Sequence, residues 1–156
     1  MLHIEIPGVG QLALEHLVLD VNGTIALDGA VLPGVAEGIA ALHDRLHVVA
    51  ITADTHGTAP HLREQLGIGV QAIAAGNEGA QKLAFVESLG RDGVIAAGNG
   101  ANDVEMLRAA AIGVCVISDE GAAGAAVAAS NVVVSGVEAL FGLLQNPARL
   151  VATLRR

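Results

Sequence analysis

Four short segments of the chain carry residue types that can do chemistry together. The first is DVNGT, Asp20–Thr24. An acidic residue that ends an apolar strand and precedes a glycine turn holds a carboxylate above a rigid sheet. Such a carboxylate can be a nucleophile or a Mg²⁺ ligand; it can also be a plain turn cap. The second is ITADT, Ile51–Thr55, where Thr52 ends the apolar run HVVAIT. A threonine hydroxyl and the N–H groups that follow can hold phosphate oxygens, although threonine at a strand end is commonplace. The third is Lys82, the sole lysine among eight Lys and Arg residues. A cation near the start of a helix is disfavoured by the helix dipole, so either a surface position or neutralisation of negative charge in a cleft must account for it. The fourth is GNGANDVEML, Gly98–Leu107, whose glycines permit a tight turn against a ligand. Its Asn102 and Asp103 open a helix. Asp103 can cap that helix or face Asp20 across a metal ion.

These segments need a frame that brings four distant pieces of chain to one place. Alternation of apolar strands with amphipathic helices supplies it. Residues 2–6 and 11–14 form a hairpin around Pro7–Gly10, and HLVLD at 16–20 is a buried strand. A loop or small hairpin covers 21–34. The spacing predicts a helix over 35–45, with Val35, Ile39, Leu42 and Leu46 on one face. Strands follow at 47–52, 70–74, 93–98, 112–117 and 131–134. Helices fall at 61–67, 79–89 (Leu83, Val86 and Leu89 inward), 102–110 and about 121–129, and Pro147 opens the last helix. The expected fold class is therefore α/β: a three-layer, Rossmann-like parallel sheet flanked by helices, in one domain over 1–156 with an N-terminal β-hairpin at about 2–14. Such sheets bind ligands at the carboxyl ends of their strands. Asp20, Thr52 and the Gly98–Asp103 loop all lie at predicted carboxyl ends.

Composition narrows the function classes. Hydrophobic residues make up 53% of the 156 residues and aromatic residues 1%, so the core must be built from Val, Leu, Ile and Ala. A net charge of −8 argues against nucleic acid or an anionic membrane surface as partner. It also requires any phosphate site to rely on local donors. A single cysteine, Cys115, excludes an internal disulfide and reads as a buried small apolar residue. No signal-like start and no membrane-length apolar run is evident, which leads to the expectation of a cytoplasmic protein.

The ordered set DVNGT, ITADT, Lys82 and GNGANDVEML resembles the four motifs of the haloacid dehalogenase superfamily. ITADTHGTA and the GxGxND loop are most similar to the phosphorylation domain of P-type ATPases. The resemblance covers about Glu15 to Val134. It implies a Mg²⁺-dependent aspartyl-phosphate mechanism on a small phosphorylated substrate. Asp20 would attack phosphorus. Asp20, the Asn22 carbonyl, Asn99 and Asp103 would hold Mg²⁺. Thr52, Ala53, Lys82, Gly23, Thr24 and Asn102 would bind the phosphoryl group.

Two positions depart from that family's pattern. Its phosphatases carry an acid–base Asp two residues after the nucleophile, where this chain has Asn22, whose amide does not titrate. The usual GDG is GNG here, so Asn99 brings one charge fewer to the metal. A slow phosphohydrolase favouring good leaving groups follows, with a catalytically impaired phosphate-binding or regulatory protein as the alternative. A receiver-like phospho-acceptor also uses Asp, Thr and Lys, but there the acceptor ends a middle strand rather than the first. The short span from Asp20 to Thr52 leaves no room for a large cap domain, and capless relatives often complete the site by forming a homo-oligomer. Both Asn-Gly pairs, Asn22–Gly23 and Asn99–Gly100, are of a chemically labile type.

Smaller signals carry less. IPGVGQLA fits a dinucleotide-type glycine pattern but precedes a strand, not a helix, and reads as a hairpin turn. Asp54 and His56 share the loop after Thr52 and can meet a substrate, although exposed loop positions are the plainer reading. The remaining histidines show no metal-ligand spacing.

Overall fold

A computed structural model describes residues 1–54 and 57–156. The central sheet has six parallel strands in the order β10-β9-β8-β3-β6-β7. These are β3 (His16–Asp20), β6 (His47–Thr52), β7 (Gly69–Ala72), β8 (Val94–Gly98), β9 (Ile112–Ile117) and β10 (Val132–Ser135). The chain leaves β3 for β6 on one side and later returns to β8 on the other. Asp20 therefore ends the strand at the topological switch, where a crevice opens in such sheets. β3 is an unbroken apolar run because both its faces are covered: Leu17, Val18 and Leu19 are fully buried.

Two smaller sheets complete the strands. β1 (Leu2–Ile6) and β2 (Gly10–Leu14) form the expected N-terminal hairpin. Its inward residues Leu2, Ile4, Ile6 and Leu14 join the main core. β4 (Ala26–Leu27) and β5 (Ala30–Val31) make a miniature hairpin just after Asp20. Only this hairpin and α1 (Val35–Ala40) separate Asp20 from β6, so no large cap domain is present there.

The helices are α1, α2 (Ala59–Leu66), α3 (Glu78–Ser88), α4 (Val104–Ala109), α5 (Gly124–Ala129), α6 (Val137–Gln145) and α7 (Pro147–Leu154). They form two layers. One packs α1, α2, α6 and α7 against Leu17, Leu19, Ile95, Ile112 and Val114. The other packs α3, α4 and α5 against Val18, Val94, Ala96 and Cys115. Strand residues alternate between the two layers, as the two-residue repeat of a strand requires.

Three helices differ from the sequence reading. α1 stops at Ala40, and residues 41–45 continue as turns closed by bonds such as Leu42 N–H to Ile39 O (3.0 Å). A His43 ring nitrogen 2.9 Å from Ala40 O accompanies that tightening. The predicted stripe survives: Val35, Ile39, Leu42 and Leu46 are all buried. In α3 the two most buried residues are Lys82 and Val86, not the Leu83–Val86–Leu89 face. A polar group defines the inward direction of that helix. The 121–129 segment is helical only from Gly124, because Ser118–Gly121 forms a turn with Gly121 at φ 77°.

Candidate active site

Asp20 ends β3 and faces the α3–α4 layer, since it shares strand parity with Val18. Lys82 reaches it from α3. The Lys82 Nζ donates to Asp20 Oδ1 at 2.6 Å and to Asp103 Oδ1 at 2.6 Å. All three residues are buried, with Lys82 only 1% exposed. A buried ammonium between two carboxylates is the arrangement in which burial of charge is tolerated. The two carboxylates raise the lysine above its ordinary value against the opposing pull of its own burial. Burial dominates at Asp20, and the Asp103 charge adds to it; together they push the carboxyl up to about 7 despite Lys82 and Thr24.

Asp103 is held from both ends. Its Oδ2 accepts the Asn99 N–H (3.0 Å) and the Gly100 N–H (2.9 Å), closing the loop before a 3₁₀ turn at Ala101–Asp103. Gly98 makes room for this: a Cβ there would lie 2.5 Å from the Asp103 carboxyl carbon.

Asp20, Thr52, Ala53 and Lys82 line a cavity of about 210 Å³, together with Asn22, Asn99 and Asn102. The structure thus brings seven of the expected residues to one space. Gly23, Thr24 and Asp103 do not line it. The Gly23 N–H, expected on a phosphoryl oxygen, donates to Ala26 O at 2.7 Å and closes the turn after β3. Thr24 is fully buried, and its hydroxyl lies 3.3 Å from Asp20 Oδ2 and 3.4 Å from Asn99 Oδ1. The Asn102 amide donates to Glu78 Oε2 at 2.7 Å.

Glu78 and Glu120 also line the cavity, and neither stands out in the sequence. Glu78 begins α3, four residues before Lys82, so the helix that delivers the lysine signals it. Glu120 sits in an exposed turn with no motif around it. A wider cavity of about 560 Å³ adjoins through Asn22, Thr52 and Ala53, and His61 and Gln65 of α2 line its far side. Asp54 belongs to that side and caps α2: its Oδ1 accepts Thr58 N–H (2.6 Å) and its Oδ2 accepts Ala59 N–H (3.0 Å). His56 lies outside the described residues, as does Thr55.

Among the described residues no group of three His, Cys, Asp or Glu is placed to hold a metal ion. The site instead offers mixed oxygen donors. Gly23, at φ 80°, leaves a space that a Cβ would fill, bounded by the Asn99 amide and Glu120 Oε2. Asp20 Oδ2 and Asn99 Oδ1 meet the same Thr24 hydroxyl nearby. A set of carboxylate and amide oxygens suits a hard cation such as Mg²⁺.

A model of the haloacid dehalogenase-like hydrolase family matches residues 1–111. The chain belongs to this family. An uncharacterized protein of Methanocaldococcus jannaschii is 40% identical over 84 residues, which is 51% of this chain and 90% of that relative. Among solved structures, a haloacid dehalogenase family hydrolase from Streptomyces avermitilis aligns over 91% of this chain and 84% of its own, with TM-score 0.65 and 22% identity. The 3-deoxy-D-manno-octulosonate 8-phosphate phosphatase of Moraxella catarrhalis, solved with magnesium ion, phosphate ion and KDO, aligns over 91% and 94% with TM-score 0.67 and 16% identity. At these identities the solved structures speak for the fold. No helix among the described residues of this hydrolase-family chain is long and apolar enough to cross a membrane.

Proposed function

We propose that the chain is a Mg²⁺-dependent phosphohydrolase that acts on small phosphorylated substrates through an aspartyl phosphate on Asp20. The observation that carries this reading is the Lys82 ammonium, 2.6 Å from both Asp20 and Asp103 at the floor of the small cavity. A buried cation on the nucleophile's own carboxylate offsets charge that builds when a phosphoryl group arrives. The magnesium, phosphate and phosphatase activity named for the Moraxella catarrhalis protein of similar fold accord with it.

In this mechanism a carboxylate oxygen of Asp20 forms a bond to phosphorus as the bond to the leaving oxygen breaks. Water then attacks phosphorus, the bond to Asp20 breaks, and inorganic phosphate leaves. The Thr52 hydroxyl and Ala53 N–H hold phosphoryl oxygens. Asp20, the Asn22 carbonyl and the Asn99 Oδ1 would hold the cation, which would supply positive charge to offset that of the transferring phosphoryl group. Asp103, a candidate cation ligand by its motif, we assign to anchoring Lys82 and the Asn99–Gly100 backbone. The leaving group occupies the adjoining cavity beside Val31, His61 and Gln65. A second copy of the chain completes the site's rim in this reading; light scattering on the purified protein reports the oligomer.

Asn22 is exposed at the cavity and cannot donate or take a proton as an Asp does. Turnover is therefore slow and favours acyl or aryl phosphates, whose leaving groups need no acid. Asn22→Asp should raise alkyl-phosphate turnover by about 10²-fold or more. No rise on either substrate type removes the role given to position 22. The two amides at Asn22 and Asn99 favour one other reading, a phosphate-binding regulator without turnover. A panel of phosphate esters with Mg²⁺ separates them: release that Asp20→Asn abolishes supports the hydrolase, and binding without release supports the regulator.

A further inference from the structure

The candidate cation site is short of negative charge. Asp103 spends one oxygen on Lys82 and the other on two backbone N–H groups. Asn99 is neutral. Asp20 already shares Oδ1 with Lys82. Mg²⁺ sites commonly use one or two carboxylates besides water and substrate phosphate, and affinity follows the number of charged ligands.

A second carboxylate reaches the same place from the turn after β9. A Cβ on Gly23 would overlap both Glu120 Oε2 and Asn99 Nδ2, and would lie 2.9 Å from Asn99 Oδ1. Glu120 therefore meets Asn99 beside the loop that follows the nucleophile. The turn that carries it is fixed to Asn99. The Asn99 amide donates to Gly121 O (3.3 Å), and the Ala123 N–H donates to Asn99 O (2.8 Å). Gly121 N–H closes the turn on Ser118 O at 2.8 Å. With its NH₂ directed at Gly121, Asn99 turns Oδ1 toward the Thr24 hydroxyl, which also meets Asp20 Oδ2. Among the described residues the Glu120 carboxylate has no hydrogen-bond or ion-pair partner.

We infer that Glu120 is a carboxylate ligand of the divalent cation and replaces the charge that Asn99 does not bring. The inference rests on the phosphohydrolase reading for the cation itself. Asn99 then acts as a hinge pin, holding the Glu120 turn with its amide nitrogen and offering its oxygen to the site.

Mn²⁺ binding to the purified chain, read by the free-ion electron paramagnetic resonance signal, tests this without turnover. Glu120→Gln should weaken Mn²⁺ binding at least tenfold, while Asp119→Asn, its exposed neighbour, should leave it unchanged. Asn99→Asp added to Glu120→Gln should restore binding, which a purely structural role for Glu120 would not allow. Equal loss in both single variants, or no loss in Glu120→Gln, overturns the assignment. Absence of Mn²⁺ binding by the unaltered chain overturns it too. Phosphate release that depends on Asp20, measured in parallel, shows whether the phosphohydrolase reading stands or falls with it.

Discussion

The two faces of the sheet are built from different residues, and only one of them holds the site. Toward α1, α6 and α7 the strands present Leu17, Leu19, Ile95, Ile112, Val114 and Val116. Toward α3, α4 and α5 they present Val18, Val94, Ala96, Gly98, Gly113 and Cys115. The first face is large and aliphatic, and even Gly38 on α1 serves packing there, since a Cβ would run into the Phe141 ring. Along β8 and β9 the second face is made of small residues, Ala96, Gly98, Gly113 and Cys115, so that α4 comes close, while Ile51 of β6 remains large. A Cβ on Gly113 would overlap the Leu107 carbonyl of α4, and one on Gly98 would press on Asp103. Close helices are what let the Lys82 ammonium touch Asp20. The large face supplies apolar burial, and the small-residue face supplies position.

Loss of the buried cation should have the largest effect. Lys82→Met leaves Asp20 and Asp103 buried together with no positive partner. Removal of one member of a buried ion pair costs about 3–5 kcal/mol. Phosphate release should fall by about 10²-fold or more as well. Urea denaturation and a phosphate assay read the two effects. A variant as stable and as active as the parent breaks the distinction between the faces at its strongest point.

On the large face, stability and turnover should separate. Leu144 of α6 is fully buried among aliphatic neighbours. Leu144→Ala should cost about 2–5 kcal/mol of stability. Turnover per folded molecule, measured well below the melting temperature, should stay within about twofold, because no site residue rests on α6. A proportional loss of turnover would show that the large face also sets the site.

Gly113→Ala probes the opposite balance. The added Cβ meets Leu107 backbone, which can yield only if α4 moves. Overpacking of this kind costs about 1–3 kcal/mol. The same shift carries Asp103, at the head of α4, away from Lys82, and misplacement near 1 Å can cost about 10²-fold in rate. Turnover should thus fall further than stability, the reverse of Leu144→Ala. Equal behaviour of the two variants removes the distinction.

The sequence makes the site legible where chemistry and strand ends coincide. Asp20, Thr52 and the Gly98–Asp103 loop each follow an apolar run, and a lone lysine in an acidic chain draws attention to Lys82. The layers were legible for the same reason, since unbroken apolar strands imply cover on both faces. The inward face of α3 was not, because periodicity weighs apolar residues and cannot tell that a lysine points inward. Glu120 was hidden for a different reason: the turn SDEG has no periodicity, and only the pairing of β9 beside β8 places it near Asn99. Which backbone N–H groups remain for a ligand was equally hidden, as the Gly23 bond to Ala26 depends on the closure of one turn.

The smallest effect concerns Cys115, which points from β9 into the small-residue face and is fully buried. Burial pushes its thiol up from 9.0, and the Asp103 charge pushes in the same direction. Because the folded state holds the proton longer, the unfolded chain loses it first as pH rises above about 9. Folding stability then declines with rising pH in that window, and Cys115→Ala should remove this part of the decline. At neutral pH the native chain should react with a soluble thiol reagent far more slowly than free cysteine, since the thiolate is the reactive form. The reaction should accelerate with urea in step with unfolding. The same helices that press close enough to seat Lys82 also close over this thiol, so rapid labelling of the native chain would mean that the α4–α5 layer opens readily and does not hold the site by close packing.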